Sequence, residues 1–344
     1  MKPNFFLPAI SLIFSLSFSP VSQAQTFKIA TIAPDGSFWM TMIKDAAKEI
    51  KSKTEGRVKF KFYPGGVMGN QDTVLKKMRI GQLQGGALTN GTLGPLYPDS
   101  QIYSLPLIFK NIEEVDYVRS KMDDQIIAGF ENAGIVPLGI SEGGLTYAMS
   151  DQPVTRTTDL LQHKVWRPTN NKNVALTLEA FDISPIPLSI GDVLIGLQTS
   201  LIDTVATTPT AAIALQWHTQ IKYITDVPFI YFYSVLAVDK KAFDKLSESD
   251  QVIVRQVMAD TIDKIDEKNR EDNIAALAAL QNTGITLLKP DSEELSGWYE
   301  KGDEATRLIF SEGDMSEKTI NALLKHLDTF RSQQSSIVNK QNLL

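Results

Sequence analysis

Between Leu246 and Gly284 the sequence reads LSESDQVIVRQVMADTIDKIDEKNREDNIAALAALQNTG, with no proline anywhere and no glycine before its last residue. Ser247 and Asp250 have the spacing of a capping box, and Gly284 supplies a stop where a left-handed residue costs least. A helix of about 35 residues rising ~1.5 Å per residue reaches about 50 Å, more than the width of one small domain. The rod must therefore lie across two bodies. A coiled-coil stalk is the alternative, but Val252, Val257, Ile262, Ile265, Ile274 and Leu277 do not hold a heptad.

Length agrees with two bodies. The opening MKPNFFLPAISLIFSLSFSPVSQAQ joins one lysine to a short apolar run and ends in small residues at Ser22 and Ala24, the pattern of a secretory leader cut after Ala24. An uncleaved anchor is the competing reading. Removing those 24 of 344 residues leaves 320, beyond the size at which a single core stops growing. The boundaries expected are 1–24 for the leader, 25–143 plus 232–271 for lobe I, and 144–231 plus 272–344 for lobe II. Nothing after the leader approaches the ~20 apolar residues of a spanning helix, so no stable membrane insertion is expected. The chain has no cysteine, which excludes a disulfide framework and a lipidated N-terminal thiol. Without Lys2 the formal charge moves from −6 to −7, with the charges mixed along the chain, and nucleic acid is not an expected partner.

Ahead of the long helix the hydrophobic period keeps switching. FKIATIA is a short apolar run closed by Pro34-Asp35-Gly36, and SFWMTMIKDAAKEIKSKTEG carries Phe38, Met42, Ala46 and Ile50 at helical spacing. RVKFKFY alternates Val58, Phe60 and Phe62 with Arg57, Lys59 and Lys61, a strand with one wet face near a sheet edge. Strand, helix and strand form a βαβ unit, repeated by a glycine turn, the helix QDTVLKKMRIGQ and the strand GGALTN. A second set begins near Pro153 and runs through DLLQHKVWRP, NVALTLEAF, ISPIPLS, GDVLIGLQTSL and IDTVATT. The fold class predicted is α/β, with two lobes, mixed sheets and one helix spanning both.

Chemistry of catalysis is not assembled by these residues. His163, His218 and His326 stand far apart, with no carboxylate or cysteine at metal-ligand spacing, so no metal and no cofactor is expected. Phosphate loops, nucleophile elbows and dinucleotide fingerprints are missing, and the glycines of YPGGVMG read as turn formers. Two hinged lobes suit a clamshell that catches a small molecule between them.

Several blocks in fixed order carry a family resemblance: FKIATIAPDGSFW, AKEIKSKTEGRVKFKFYPGG, MGNQDTVLKKMRIGQLQGGAL, YSLPLIF and LQTSLIDTVATTPTAAIALQWHTQIKYITD. From Phe27 to the end of the long helix the chain resembles the solute-binding (DctP-type) component of tripartite ATP-independent periplasmic (TRAP) transporters. The resemblance implies a periplasmic-binding-protein-like clamshell, a small-molecule ligand, and membrane permease subunits of the TRAP type as partners.

It also marks departures. Relatives place an arginine in a K-x-R-x-P pattern, where it grips a ligand carboxylate; here Lys164-Val165-Trp166-Arg167-Pro168 puts Trp166 at that place. Alternation sends Trp166 and Arg167 to opposite faces, so Arg167 points away from the cleft unless the strand bulges. Trp166 is read as a cleft wall, with core packing as the plain alternative. Thr207 or Thr208 stands where relatives carry an asparagine, and Thr146 where acid-binding relatives carry a second arginine. In the first lobe the aligned positions are Phe38, Thr89 and Asn90. With Ile190, Trp217 and Tyr231 the predicted pocket rewards apolar surface, at ~25 cal/mol per Å². A buried carboxylate without a fork of donors is costly. The expected ligand is thus less acidic and more hydrophobic than a dicarboxylate or sugar acid. For Trp217 a packed helix face is an equal alternative, and Glu142 is read as a solvated hinge residue, or as an amine anchor if buried. An organic-acid receptor using Arg167, and a periplasmic sensor or protein-interaction module, are the other readings.

Overall fold

The computed structural model of the chain describes residues 24–169, 171–312 and 314–341, so the expected leader lies outside the described residues except for Ala24. Eleven strands follow in chain order among these residues: β1 (Gln25–Ala30), β2 (Val58–Tyr63), β3 (Gly85–Thr89), β4 (Ile135–Leu145), β5 (Tyr147–Ser150), β6 (Trp166–Pro168), β7 (Ile186–Leu188), β8 (Thr204–Thr207), β9 (Tyr223–Thr225), β10 (Tyr231–Asp239) and β11 (Thr286–Leu288).

The first lobe is built on a five-stranded sheet of order β2-β1-β3-β10-β4. β1 runs parallel to β2 and β3, whereas β10 is antiparallel to both its neighbours. The alternating strand β2 is at the edge, as its pattern predicts, with the Phe27 and Phe60 rings stacked 5.3 Å apart. On helix Phe38–Lys53 the buried stripe is Met40, Ile43, Ala46, Ala47 and Ile50. It is rotated from the expected set, and Phe38 is left 44% exposed at the helix start.

The second lobe carries a four-stranded sheet of order β11-β9-β5-β8 and the parallel pair β6-β7. A single parallel bridge, Val165 to Thr204, ties the pair to β8. β4 runs almost directly into β5, and β10 leaves the segment after β9, so two strands cross between the lobes. They are pinned at the crossing, where Thr146 makes four bonds with Phe229 and Ile230: Thr146 N and Oγ1 donate to Ile230 O, Phe229 N donates to Thr146 O, and Ile230 N donates to Thr146 Oγ1.

Helix Glu248–Asn282 is the 35-residue rod expected. Ser247 Oγ accepts from Asp250 N, but the Asp250 carboxylate does not return to the cap; it takes both prongs of Arg57, at 2.9 and 3.0 Å. Gly284 has φ +97°, the left-handed stop. Val254, Val257, Met258, Ile262 and Ile265 are buried in the first-lobe core, while Leu277 and Leu280 reach the second-lobe core that holds Trp217 and Ile224. Val252 and Ile274, which break the heptad, are 66% and 75% exposed.

The last helix, Glu317–Gln341, differs from the expected partition. Leu323 and Leu327 are buried in the same cluster as Val118 and Met122 of helix Ile112–Asn132, and Arg331 forks onto the buried Glu114 at 2.7 and 2.9 Å. It therefore packs on lobe I, although its neighbour in sequence, helix Ser292–Ser311, sends Trp298 and Ala305 into the second-lobe core. No helix among the described residues is long and apolar enough to cross a membrane.

Candidate functional site

Ligands of open α/β sheets lie beyond the carboxyl ends of parallel strands, because helix N-termini and irregular backbone meet there. In the first lobe these ends carry Thr31 after β1 and Thr89-Asn90 after β3; in the second, Thr169 after β6, Ser189-Ile190 after β7 and Thr208 after β8. One contact shows that the two sets face each other. A methyl group added to Gly91 would stand 2.5 Å from Asn171 Nδ2, so the residues after β3 touch those after β6. Asn171 is also the N-cap of helix Lys172–Ala180, accepting from Val174 N at 3.1 Å.

The polar residues predicted at this boundary are largely committed to the protein. Thr89 donates to Gln71 Oε1 from its backbone N, at 2.8 Å, and from its hydroxyl, at 3.0 Å. Asn90, 5% exposed, donates to Ser104 Oγ at 2.7 Å, and Ser104 in turn donates to Tyr231 O. Thr208 caps helix Pro209–Ala214 by accepting from Ala211 N, and Thr207 is buried at the end of β8. Thr146 belongs to the strand crossing. Ile190 and Phe38, by contrast, are open to solvent, at 36% and 44%.

Trp166 and Arg167 do take opposite faces of β6. Trp166 is 8% exposed, donates from Nε1 to Leu188 O at 3.1 Å and meets Trp217 edge-on at 5.3 Å. Both indoles belong to the second-lobe core, with Met149, Val193 and Ile224. Core packing, the plain alternative in each case, describes their surroundings. Arg167 is half-buried and donates from Nη1 to its own neighbours' carbonyls, Pro168 O at 3.0 Å and Thr169 O at 3.1 Å. It borders a depression of about 580 Å³ whose other walls are second-lobe residues between Ala175 and Pro185.

Behind the boundary a buried ionic cluster holds the hinge, and Glu142 is its centre. It is neither solvated nor free for an amine: Arg270 of the long helix takes both its oxygens, at 3.0 and 2.7 Å, and Tyr231 Oη donates to Oε2 at 3.2 Å. Arg270 also grips Asp116, while Arg119 donates to Tyr231 Oη at 2.9 Å and pairs with Asp123. Tyr231, 1% exposed, thus uses its hydroxyl inside this cluster, and burial holds its pKa well above the ordinary value. Asp266 accepts from Glu142 N at 2.8 Å and Ser141 Oγ at 3.2 Å. Burial pushes its carboxyl up to about 7, against the pull of that backbone bond and of Arg119. Asn273 bridges the hinge, donating to Gly143 O at 3.0 Å and accepting from Thr210 Oγ1 at 2.8 Å.

One cluster escaped sequence spacing altogether. His163 has two carboxylates near it in space, since Asp151, His163 and Asp203 offer ligand atoms within 4.8 Å of one another. The strands that bring them together are far apart in sequence, so no spacing rule could find it. Nδ1 of His163 already lies 3.1 Å from Asp203 Oδ1 and 2.7 Å from Thr204 Oγ1, and Asp203 Oδ1 also accepts from Lys164 N at 2.9 Å. That hydrogen bonding ties the starts of β6 and β8 together, away from the ends that face the first lobe. His218 bonds Ala212 O, and His326 packs on Tyr117.

Residues 29–313 match the family described as bacterial extracellular solute-binding protein, family 7 (DctP). This chain belongs to that family. Among curated relatives, this family-7 protein is 25% identical over 299 residues to the C4-dicarboxylate-binding periplasmic protein DctP of Rhodobacter capsulatus, covering 85% of this chain and 88% of the other. It is 27% identical over 256 residues to a solute-binding protein of Chromohalobacter salexigens, covering 73% and 75%. A TRAP periplasmic solute-binding protein from Chromohalobacter salexigens, solved with bound D-glucuronate, superposes with a TM-score of 0.79 at 21% identity, covering 88% of this chain and 99% of that one. Another from Desulfovibrio salexigens, with bound orotic acid, gives 0.81 at 16% identity, covering 89% and 99%. The fold is thus that of the TRAP solute-binding proteins, and the protein is a solute receptor of the DctP type.

Proposed function

We propose that this receptor works in the periplasm, exported there by its leader, closes its two lobes on a small organic solute and passes it to the permease subunits of a TRAP transporter. The solute in this reading is less charged and more apolar than a sugar acid. It meets Phe38, Thr89, Ile190 and Thr207 at the strand ends, with Trp166 and Trp217 behind them. The observation that supports this is the state of Arg167. The cation nearest the family's arginine position is turned onto its own strand's carbonyls and a depression of the second lobe, and an indole stands in the aligned place. Desolvating a carboxylate without a bidentate partner costs several kcal/mol, so apolar area has to supply the affinity.

A second reading has a specific observation in its favour. Structures of similar fold hold acids, D-glucuronate in one and orotic acid in another. Thermal-shift and native mass-spectrometric screening of the mature chain separates the two. Stabilisation by uncharged or weakly acidic apolar compounds supports the first; stabilisation by carboxylates alone, lost in Arg167→Ala and kept in Trp166→Ala, refutes it and establishes the organic-acid receptor.

A further inference from the structure

Away from the boundary between the lobes, three segments of the second lobe converge with side chains able to hold a cation. Asp151 follows β5, His163 precedes β6 and Asp203 precedes β8, and each offers a ligand atom within 4.8 Å of the others. Backbone bonds set this arrangement without help from the side chains. Asp151 N donates to Asp203 O at 3.2 Å, Asp203 N donates to Lys164 O at 3.1 Å, and the bridge between Val165 and Thr204 lies next to them. The ligand atoms are therefore brought together by the fold, which is the preorganisation a metal site needs.

The cluster has acceptor capacity to spare. Asp203 Oδ1 meets Lys164 N, Thr204 Oγ1 and His163 Nδ1, whereas its Oδ2 takes no donor among the described residues. The carboxylate of Asp151, half-buried, has neither a hydrogen bond nor an ion pair there. Neither aspartate has a lysine or arginine partner among the described residues, and Lys164 Nζ is spent on Ser200 O. Two carboxylates this close repel each other, and a cation between them removes that cost. The imidazole narrows the choice of cation. Calcium and magnesium favour all-oxygen sets, while nitrogen beside oxygen suits zinc and its first-row neighbours. An ion about 2.1 Å from each of two ligands holds them about 3.1–3.4 Å apart, and His163 Nδ1 stands 3.1 Å from Asp203 Oδ1.

We infer that Asp151, His163 and Asp203 form a binding site for one first-row dication, Zn2+ being the probe of choice. His163 gives a ring nitrogen and each aspartate a carboxylate oxygen; solvent completes the coordination, and any proton on that nitrogen leaves to solvent. The Thr204 hydroxyl, 2.9 Å from Asp203 Oδ1, orients that carboxylate from outside. Such an ion staples β5, β6 and β8 at the ends that face away from the first lobe.

The test titrates Zn2+ into the mature chain, free of any affinity tag and stripped with a chelator, and follows calorimetry and melting. Wild type is expected to take one Zn2+ and to melt about 3–6 °C higher at a hundredfold excess over Kd. Asp151→Asn and His163→Gln are each expected to bind at least tenfold more weakly. Asp151→Asn should melt with wild type when no metal is present, because its carboxylate has no partner to lose, and so it decides the matter if His163→Gln fails to fold. A wild type without one-to-one binding overturns the inference. Undiminished affinity in either variant does so too, placing the ion elsewhere, as at His218 or His326. Displacement of Zn2+ by an equal concentration of Mg2+ removes the nitrogen ligand and overturns it as well. None of these outcomes depends on which solute the lobes capture.

Discussion

Replacing Asp266 by Asn should change how stability depends on pH more than it changes stability itself. The carboxyl is raised by burial from 3.8 to about 7. Its surroundings are Ser141 and Glu142 on β4, Arg119 and Asp123 on helix Ile112–Asn132, Tyr231 on β10, and Arg270 one turn further along the long helix. Between these two values the folded chain holds a proton that the unfolded chain has lost, so stability falls as pH rises. A shift of about three pH units corresponds to about 4 kcal/mol in all, of which about 3 kcal/mol is lost between pH 5 and 8. Asn keeps an acceptor for Glu142 N and has no proton to lose. Urea unfolding at a series of pH values is therefore expected to give a wild-type stability that drops by about 3 kcal/mol relative to Asp266→Asn over that window. A difference between the two proteins that stays constant from pH 5 to pH 8 would refute the assignment of a protonated Asp266 to the folded hinge.

Other substitutions probe separate parts of the structure. Arg270→Met strips Glu142, whose side chain is 1% exposed, of its ion pair, and chemical denaturation at pH 7 should register a loss of about 3–5 kcal/mol. Gly91→Val pushes into Asn171 Nδ2, displacing the cap of helix Lys172–Ala180, and calorimetry should find about 1 kcal/mol of lost stability together with weaker ligand-induced stabilisation. Trp166→Ala opens a cavity beside Trp217, and a loss of about 3–5 kcal/mol in ligand-free unfolding is expected; a neutral result would remove the indole from the second-lobe core.

What the sequence disclosed best was whatever has a period or a stop. Gly284, Ser247 and the uninterrupted run between them define the long helix, and the alternation around Phe60 defines an edge strand, because these signals are local and physical. The lobe on which the last helix packs is not legible, because sequence order says nothing about which lobe offers the groove for Leu323 and Leu327. On the first helix the spacing through Phe38 and Met42 does not mark the buried stripe, which passes through Met40 and Ile43, because apolar residues stand on several sides of that helix. At the site, alternation correctly separated Trp166 from Arg167, but it could not tell that Trp217 would close over the indole. Glu142 and Asp203 depend on partners more than 20 residues away, Arg270 and His163. Such relations exist only in three dimensions.

A rod that is anchored at both ends also sets a limit on movement. Its start is clasped by Arg57 through Asp250, and its far end sinks Leu277 and Leu280 into the core that holds Trp217. Swinging the lobes apart must then flex the rod along its length or unfasten Asn273, which holds Gly143 on one side and Thr210 on the other. Any hinge motion is accordingly resisted by the stiffness of one continuous helix and by a single amide bridge.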